Sequence, residues 1–287
     1  MKVGIVGLGL VGGSLAKAYK KAEVEVFGAD IDILTQEYAQ LDGAVDGILD
    51  DETVKECDLI LIAITPEKAV EWFKKNSELI SPKTVVIDCC GTKRFVCEEC
   101  SKIAQEKGIV YMGGHPMAGS EMGGYKNSSG DLFRNAPFIL VPETTDNIDL
   151  LMKVKGMLML AGFGRVGVTT ACEHDRVIAF TSQMPHILSN AFIKSKTALI
   201  DSQMISAGSY QDFTRVAYLD EKMWSELFLE NRANLLEELK GFICELSKYE
   251  KAMQDNDRKE LERLLGEGKR AKREVLEKCG PAQINAE

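Results

Sequence analysis

From the first residue to about 169, short apolar runs rich in β-branched residues alternate with longer amphipathic stretches. The runs are Lys2–Val6, Val24–Ala29, Asp58–Ile64, Thr84–Asp88, Ile109–Met112, Phe138–Val141 and Arg165–Thr169. Between them, Gly13–Lys21, Asp51–Cys57, Pro66–Ile80, Thr92–Lys107 and Asn147–Leu160 carry helical spacing. This alternation predicts a mostly parallel, doubly wound α/β sheet with crossover helices. After Thr170 the strand signal stops, and helical periodicity predicts an all-α second domain. The expected division is therefore 1–169 and 170–287.

Thr170-Ala171-Cys172-Glu173 has the form of a capping box and marks the start of the helical part. The helix it opens is expected to show Val177, Phe180, Thr181, Met184, Ile187, Leu188, Ala191 and Phe192 on its apolar face. Pro185 inside it removes a backbone hydrogen bond and predicts a kink. A long helix from about Asp220 to Tyr249 places Trp224, Leu227, Phe228, Leu235, Leu239, Phe242 and Leu246 near heptad spacing, which suits either a core or a dimer seam.

At 287 residues with 45% hydrophobic and 28% charged content, the chain has the composition of a two-domain globular protein. It contains no apolar run long enough to span a membrane. The net charge of −9 argues against nucleic acid or an anionic membrane surface as partner, since both reward positive fields. The amino terminus enters a buried strand at once and lacks the zones of an export signal, so a cytoplasmic location is expected, with the eight cysteines as thiols. Cys97 and Cys100 have CxxC spacing, but no second pair or nearby histidine completes a ligand set, and no metal is expected.

Gly7-Leu8-Gly9-Leu10-Val11-Gly12 is GxGxxG, directly after a strand and opening a helix. The first glycine permits the turn, the second lets backbone approach a pyrophosphate, and the third lets helix and strand pack closely. The pyrophosphate would meet free N–H groups at a helix N-terminus. Asp30 ends the second strand, where an acid meets the adenosine ribose hydroxyls. A carboxylate there repels a 2′-phosphate and no arginine follows closely, so the Rossmann domain is expected to bind NAD rather than NADP. Thr65 and Pro66, after the next strand, are expected to line the cofactor.

Of the three histidines, His115 opens the small-residue loop His115-Pro116-Met117-Ala118-Gly119-Ser120-Glu121 at the carboxyl edge of the sheet, where the nicotinamide end belongs. Alcohol oxidation needs a base near pH 7, and His115 is the candidate. His186 follows Pro185 at the expected kink and is a second site candidate. His174, beside Asp175 in a first helical turn, reads as a surface or capping residue. Arg215 stands in a Gly- and Tyr-bearing break between helices, and its forked donors suit a substrate carboxylate.

Taken together, Gly7–Ser14, His115–Glu121 (HPMAGSE), Gln183–His186 (QMPH), Gly208–Arg215 (GSYQDFTR), Met223-Trp224 and Asn231 resemble the prephenate and arogenate dehydrogenases of tyrosine biosynthesis. The resemblance implies a helical dimerisation domain, a homodimer, and NAD-dependent oxidative decarboxylation of prephenate to 4-hydroxyphenylpyruvate. Arogenate dehydrogenase is the alternative. It further implies that His115 deprotonates the ring hydroxyl, that Ser120 and His186 line the substrate pocket, that Arg215 holds the ring carboxylate, and that Glu121 lies near the entrance. The family often carries Asp-x-Gly-Ser-x-Lys, its serine assisting the histidine. Here Asp88-Cys89-Cys90-Gly91-Thr92-Lys93 keeps Asp and Lys but has Gly91 at the serine, leaving Thr92 or water as substitutes, or the bond dispensable. The chain stops at Glu287, so feedback through an appended regulatory domain is not expected. A non-catalytic dinucleotide sensor is disfavoured because it needs neither His115 nor Arg215.

Overall fold

The computed structural model describes residues 1–120, 122–199 and 208–279. Eight strands form one sheet: β1 (Lys2–Val6), β2 (Glu25–Ala29), β3 (Gly47–Ile48), β4 (Leu59–Ile62), β5 (Val85–Asp88), β6 (Val110–Pro116), β7 (Pro137–Pro142) and β8 (Arg165–Val168). Their order is β3-β2-β1-β4-β5-β6-β7-β8. Every pairing is parallel except β6 with β7. All four residues of β4 are buried, as expected where helices cover both faces of a parallel sheet. Apolar side chains form a layer on each face. One gathers Leu15, Tyr19, Phe133, Phe138, Leu158 and Phe163, and the other Phe73, Val96, Cys100 and Tyr111.

The covering helices are α1 (Leu10–Lys21), α2 (Ile33–Leu41), α3 (Pro66–Asn76), α4 (Arg94–Lys107) and α5 (Ile148–Met159). The apolar pattern predicts all but α2. That helix buries only Ala39 and leaves Ile33, Leu34, Tyr38 and Leu41 exposed, so it has no buried stripe to read. It is fixed locally, by the Asp32 side chain accepting from the Leu34 N–H. Strand β6 runs on to Pro116, past the end of its pairing with β5 at Met112, because β7 supplies partners from Met112 to Pro116. His115 is thereby held on a strand rather than a loop.

After residue 170 the described residues contain no strand: α6 (Ala171–Ile178), α7 (Met184–Phe192), α8 (Gly208–Thr214), α9 (Glu221–Glu230), α10 (Arg232–Gln254) and α11 (Arg258–Cys279) follow. The Thr170 hydroxyl caps α6 by accepting from the Glu173 N–H, while the Glu173 carboxylate pairs with Arg176 instead of closing a reciprocal box. Between α6 and α7, Ala179–Gln183 forms a π-helical turn that ends two residues before Pro185. The wider turn absorbs the disruption the proline predicts.

The expected inner face of this helix is rotated. Met184 is buried as expected, but Val177, Phe180 and Phe192 are exposed, and His174, Asp175, Ile178, Ala179 and Gln183 are buried instead. The long helix expected from Asp220 is two helices, broken at Asn231, whose side chain is occupied with hydrogen bonds to other segments. By contacts the chain divides into compact units Met1–Asn234 and Leu235–Glu287, so α6 to α9 belong to the unit that contains the sheet. The second unit holds the remainder of α10 and α11, turned at Asn256 with φ +51°.

Candidate active site

The glycine turn follows β1. Gly7 has φ +83°, a backbone conformation that favours glycine. A Cβ at Gly12 would lie 1.7 Å from the Gly7 carbonyl oxygen, so α1 approaches the turn as closely as backbone allows. A Cβ at Gly9 would meet nothing within 4 Å. Gly9 is also the N-cap of α1 and makes no side-chain capping bond. The turn, with Leu8, Leu10 and Val11 between and after the glycines, thus presents open space before the N-terminus of α1, the form an anion-binding cradle requires.

At the end of β2, the Asp30 Oδ2 accepts from the Leu8 N–H at 2.6 Å and Oδ1 from the Asp32 N–H at 2.9 Å, which fixes the carboxylate beside the turn. Thr65 and Pro66 stand beyond β4 as N-cap and first residue of α3. β1 and β4 are the pair where the strand order reverses, the position of ligand crevices in such sheets. These residues fit a dinucleotide.

His115 projects from the carboxyl end of β6 and is partly buried. Burial, with the neighbouring His174 and Lys93, holds its pKa well below the ordinary 6.5, so the ring is a neutral base at physiological pH. Its Nδ1 lies 2.9 Å from Nε2 of His174. His174 is not at the surface: it is only 4% exposed, and its Nδ1 lies 2.8 Å from Oδ1 of Asp175. Asp175 in turn accepts from the backbone N–H groups of Lys93 (2.7 Å) and Arg94 (2.9 Å) at the start of α4.

Asn231 ties this segment to α9. It donates to the Asp175 carbonyl and to Gln183 Oε1, each at 2.8 Å, while Gln183 Nε2 donates to the Leu227 carbonyl.

A second buried group holds the strand under His115. The Lys93 ammonium, fully buried, donates to Asp88 Oδ1 and to the Gly114 carbonyl. Asp88 also accepts from the Tyr111 hydroxyl (2.7 Å) and the Cys90 N–H (2.9 Å). Burial alone would lower the Lys93 pKa, but the adjacent Asp88 outweighs it and the ammonium stays charged. Gly91 faces α9: a Cβ there would sit 3.3 Å from Leu227. The Thr92 hydroxyl donates to Glu230 and is thereby engaged away from the histidines. Burial raises the Glu230 pKa, aided by the charges of Glu226, Asp175 and Glu67.

His186, on α7, stacks on Trp224 of α9 with ring centroids 4.0 Å apart, and its Nδ1 lies 2.7 Å from the Ser182 carbonyl. A carbonyl only accepts, so Nδ1 carries the hydrogen and Nε2 is left as an acceptor. Burial lowers the His186 pKa, and the charge of nearby Arg215 lowers it further. Arg215 follows α8 in a turn. Ser120 is exposed beyond β6, its Oγ accepting from the Met122 N–H. Glu121 lies outside the described residues.

The structure thus groups His115 with His174 and Asp175, and His186 with Trp224 and Arg215. α9 joins the two groups through Leu227, Trp224 and, at its end, Asn231. His174 escaped the sequence reading because that reading assigned the buried face of α6 from apolar residues alone. Cys97 and Cys100 lie on α4 as thiols, burial pushing Cys97 up to about 12, and among the described residues no cluster of three or more His, Cys, Asp or Glu is placed to hold a metal.

The nucleotide-binding domain of prephenate dehydrogenase matches residues 15–166, and its dimerization domain matches residues 170–267. The chain is 29% identical to a prephenate dehydrogenase of Lactococcus lactis, over 94% of this chain and 76% of that one. It is 30% identical to a cyclohexadienyl dehydrogenase of Zymomonas mobilis, over 89% of each. Among solved structures, prephenate dehydrogenase from Aquifex aeolicus in complex with hydroxyphenyl propionate and NAD+ superposes with a TM-score of 0.82 at 27% identity, covering 96% of this chain and 98% of that one. Synechocystis arogenate dehydrogenase gives 0.79 at 25% identity, covering 96% and 100%. With two domain matches that together span most of its length, on a sheet and glycine turn of the required form, this chain belongs to the prephenate dehydrogenase family.

Proposed function

We propose that this protein catalyses the NAD-dependent oxidative decarboxylation of prephenate to 4-hydroxyphenylpyruvate, with His115 as the base. The observation that carries the reading is a histidine held neutral by burial, at the carboxyl edge of a sheet whose glycine turn is open for a dinucleotide. Gly7, Leu8, Gly9, Leu10, Val11 and Gly12 would hold the pyrophosphate, Asp30 the adenosine ribose, and Thr65 and Pro66 the middle of the cofactor. The Asp30 carboxylate favours NAD over NADP, because a 2′-phosphate would be repelled.

Bound NAD supplies the hydride acceptor. His115 accepts the ring hydroxyl proton at the ring nitrogen that does not face His174, which lets the carbon–oxygen double bond form. The new ring ketone accepts the electron pair released as the carboxylate leaves as carbon dioxide, and aromatisation drives that loss. Arg215 holds the ring carboxylate, with His186 presenting an acceptor at Nε2, and Ser120 and Glu121 lie at the pocket and its entrance. Prephenate and arogenate differ by a ketone in place of an amine on the side chain, and the assay includes both.

The proposal includes a division at 1–169 and 170–287, a cytoplasmic location, and a homodimer. The dimer is supported by the dimerization-domain match and by Leu236, Ile243, Leu246 and Met253, exposed along α10. No described helix is long and apolar enough to cross a membrane.

The testing experiment is His115→Asn, assayed for turnover and, separately, for NAD affinity by calorimetry. Turnover is expected to fall ~10²–10⁴-fold with affinity unchanged. Full turnover in this variant would remove His115 from the chemistry.

A further inference from the structure

We infer that His174 and Asp175 form a relay behind His115 that fixes which of its ring nitrogens carries the hydrogen and offsets the charge it acquires. The inference rests on the reading of His115 as base, and makes His174 and Asp175 positioning residues.

The relay begins at Asp175. The Asp175 carboxylate accepts two backbone N–H bonds, from Lys93 to Oδ1 and Arg94 to Oδ2, at the N-terminus of α4. Free N–H groups and the positive end of a helix stabilise an anion there. An ionised carboxylate can only accept, so the 2.8 Å contact from Oδ1 requires the hydrogen on His174 Nδ1. In the relay proposed, that is the one hydrogen His174 carries, and its Nε2 offers a lone pair. That nitrogen lies 2.9 Å from His115 Nδ1, so His115 is the donor and carries its hydrogen there. His115 Nε2 is left with its lone pair, as a base requires. Each bond dictates the next, from a helix terminus to the reacting nitrogen.

When His115 takes a proton at Nε2, both ring nitrogens carry hydrogen and the ring is a cation. Its Nδ1–H bond to His174 becomes charge-assisted, and the Asp175 carboxylate offsets the charge through the intervening ring. The proton count does not change along the relay. The same logic operates where a buried carboxylate orients a catalytic imidazole without itself being protonated.

The surroundings keep the relay in place. His174 and Asp175 are 4% and 1% exposed, and Asn231 and Gln183 lock the Asp175 backbone to α9. Two charged groups near it have partners of their own: Lys93 is bonded to Asp88 and the Gly114 carbonyl, and Glu230, from α9, is bonded through one carboxylate oxygen to Thr92. The Thr92 hydroxyl, one candidate to replace the family serine, is directed to Glu230, so the bond to His115 Nδ1 comes from α6.

The test uses the three histidines of the chain, few enough for each ring to be assigned in long-range 15N–1H spectra of histidine-labelled protein. In the wild-type enzyme, His115 and His174 are both expected as Nδ1–H tautomers. His186, which donates to Ser182, serves as internal reference with the same tautomer. Oδ1 of Asp175 serves both His174 and the Lys93 N–H, so an amide there could keep its oxygen toward His174; Asp175→Leu instead removes the acceptor, and His115 should then populate the Nε2–H tautomer with His186 unchanged. Its kcat should fall ~10²–10⁴-fold with KM nearly constant, the signature of a wrong tautomer in an intact site. His174→Gln, which can still accept from His115, should retain more activity than His174→Phe.

A wild-type His115 protonated at Nε2 overturns the relay whatever the variants do. So does a folded Asp175→Leu enzyme with wild-type kcat and tautomer. Should His115→Asn remain active while the spectra show the expected tautomers, the reading of His115 as base fails instead, and the two failures are separable.

Discussion

Two glycines of the nucleotide turn make opposite predictions. In Gly12→Ala the new methyl would lie 1.7 Å from the Gly7 carbonyl oxygen and 2.9 Å from its carbon, so turn and helix must separate by more than an ångström. The turn has no room to retreat, because a Cβ at Gly7 would itself be 2.4 Å from Ile64 and 2.7 Å from the Ala63 carbonyl. Overpacking against backbone belongs at the upper end of its usual range, about 3 kcal/mol. At two to four degrees per kcal/mol for a protein of this size, Tm should fall by roughly 6–12 °C. In Gly9→Ala the methyl meets nothing within 4 Å, so Tm should be unchanged. That methyl would occupy the space through which a pyrophosphate approaches, and NAD affinity should fall about tenfold or more, ~1.4 kcal/mol. Scanning calorimetry and titration calorimetry with NAD on both variants give the four numbers needed. A Gly12→Ala protein as stable as wild type would refute the packing argument. A Gly9→Ala protein with wild-type affinity would move the pyrophosphate elsewhere.

Other perturbations test the site piece by piece. Because the His115 pKa is held well below its ordinary value, the acid limb of kcat/KM should lie below pH 6.5; a limb above that value would contradict a buried neutral base. Lys93→Met leaves Asp88 buried without its cation and should cost about 3–5 kcal/mol in urea unfolding, largely recovered when Asp88→Asn is added. No loss in the single variant would show the pair to be dispensable. Glu230 has a raised pKa, so the folded state holds its proton longer than the unfolded chain and loses stability as pH rises from the ordinary carboxylate value through the raised one. Glu230→Gln should therefore gain on wild type over that window, and a difference independent of pH would refute the assignment. Arg215→Ala should chiefly raise KM for the substrate, an unchanged KM removing Arg215 from carboxylate binding.

The parts legible in the sequence are those whose reasons are local. A glycine that must turn, one that must let a helix approach, and an acid at a strand end can each be read from spacing. The alternation of apolar runs likewise yields the long strands. Helix α2 and strand β3 were not legible, since α2 buries one alanine and β3 is two residues long. His174 was hidden for a different reason. The sequence-based face of α6 followed Val177 and Phe180, but the fold turns those outward and packs His174 and Asp175 against the start of α4. Only a long-range contact makes that polar pair internal. The one local hint was a histidine and aspartate adjacent in the first turn of a capped helix, one turn before Ile178. Asn231 ends α9 for the same reason: its side chain serves segments 48 and 56 positions away in the chain.

The central claim is tested most directly by initial rates of NAD reduction with the purified enzyme, prephenate and arogenate being supplied in parallel and carbon dioxide measured alongside. The account predicts reduction with prephenate, one carbon dioxide released for each NAD reduced. Turnover of arogenate alone, or of neither substrate, would contradict it.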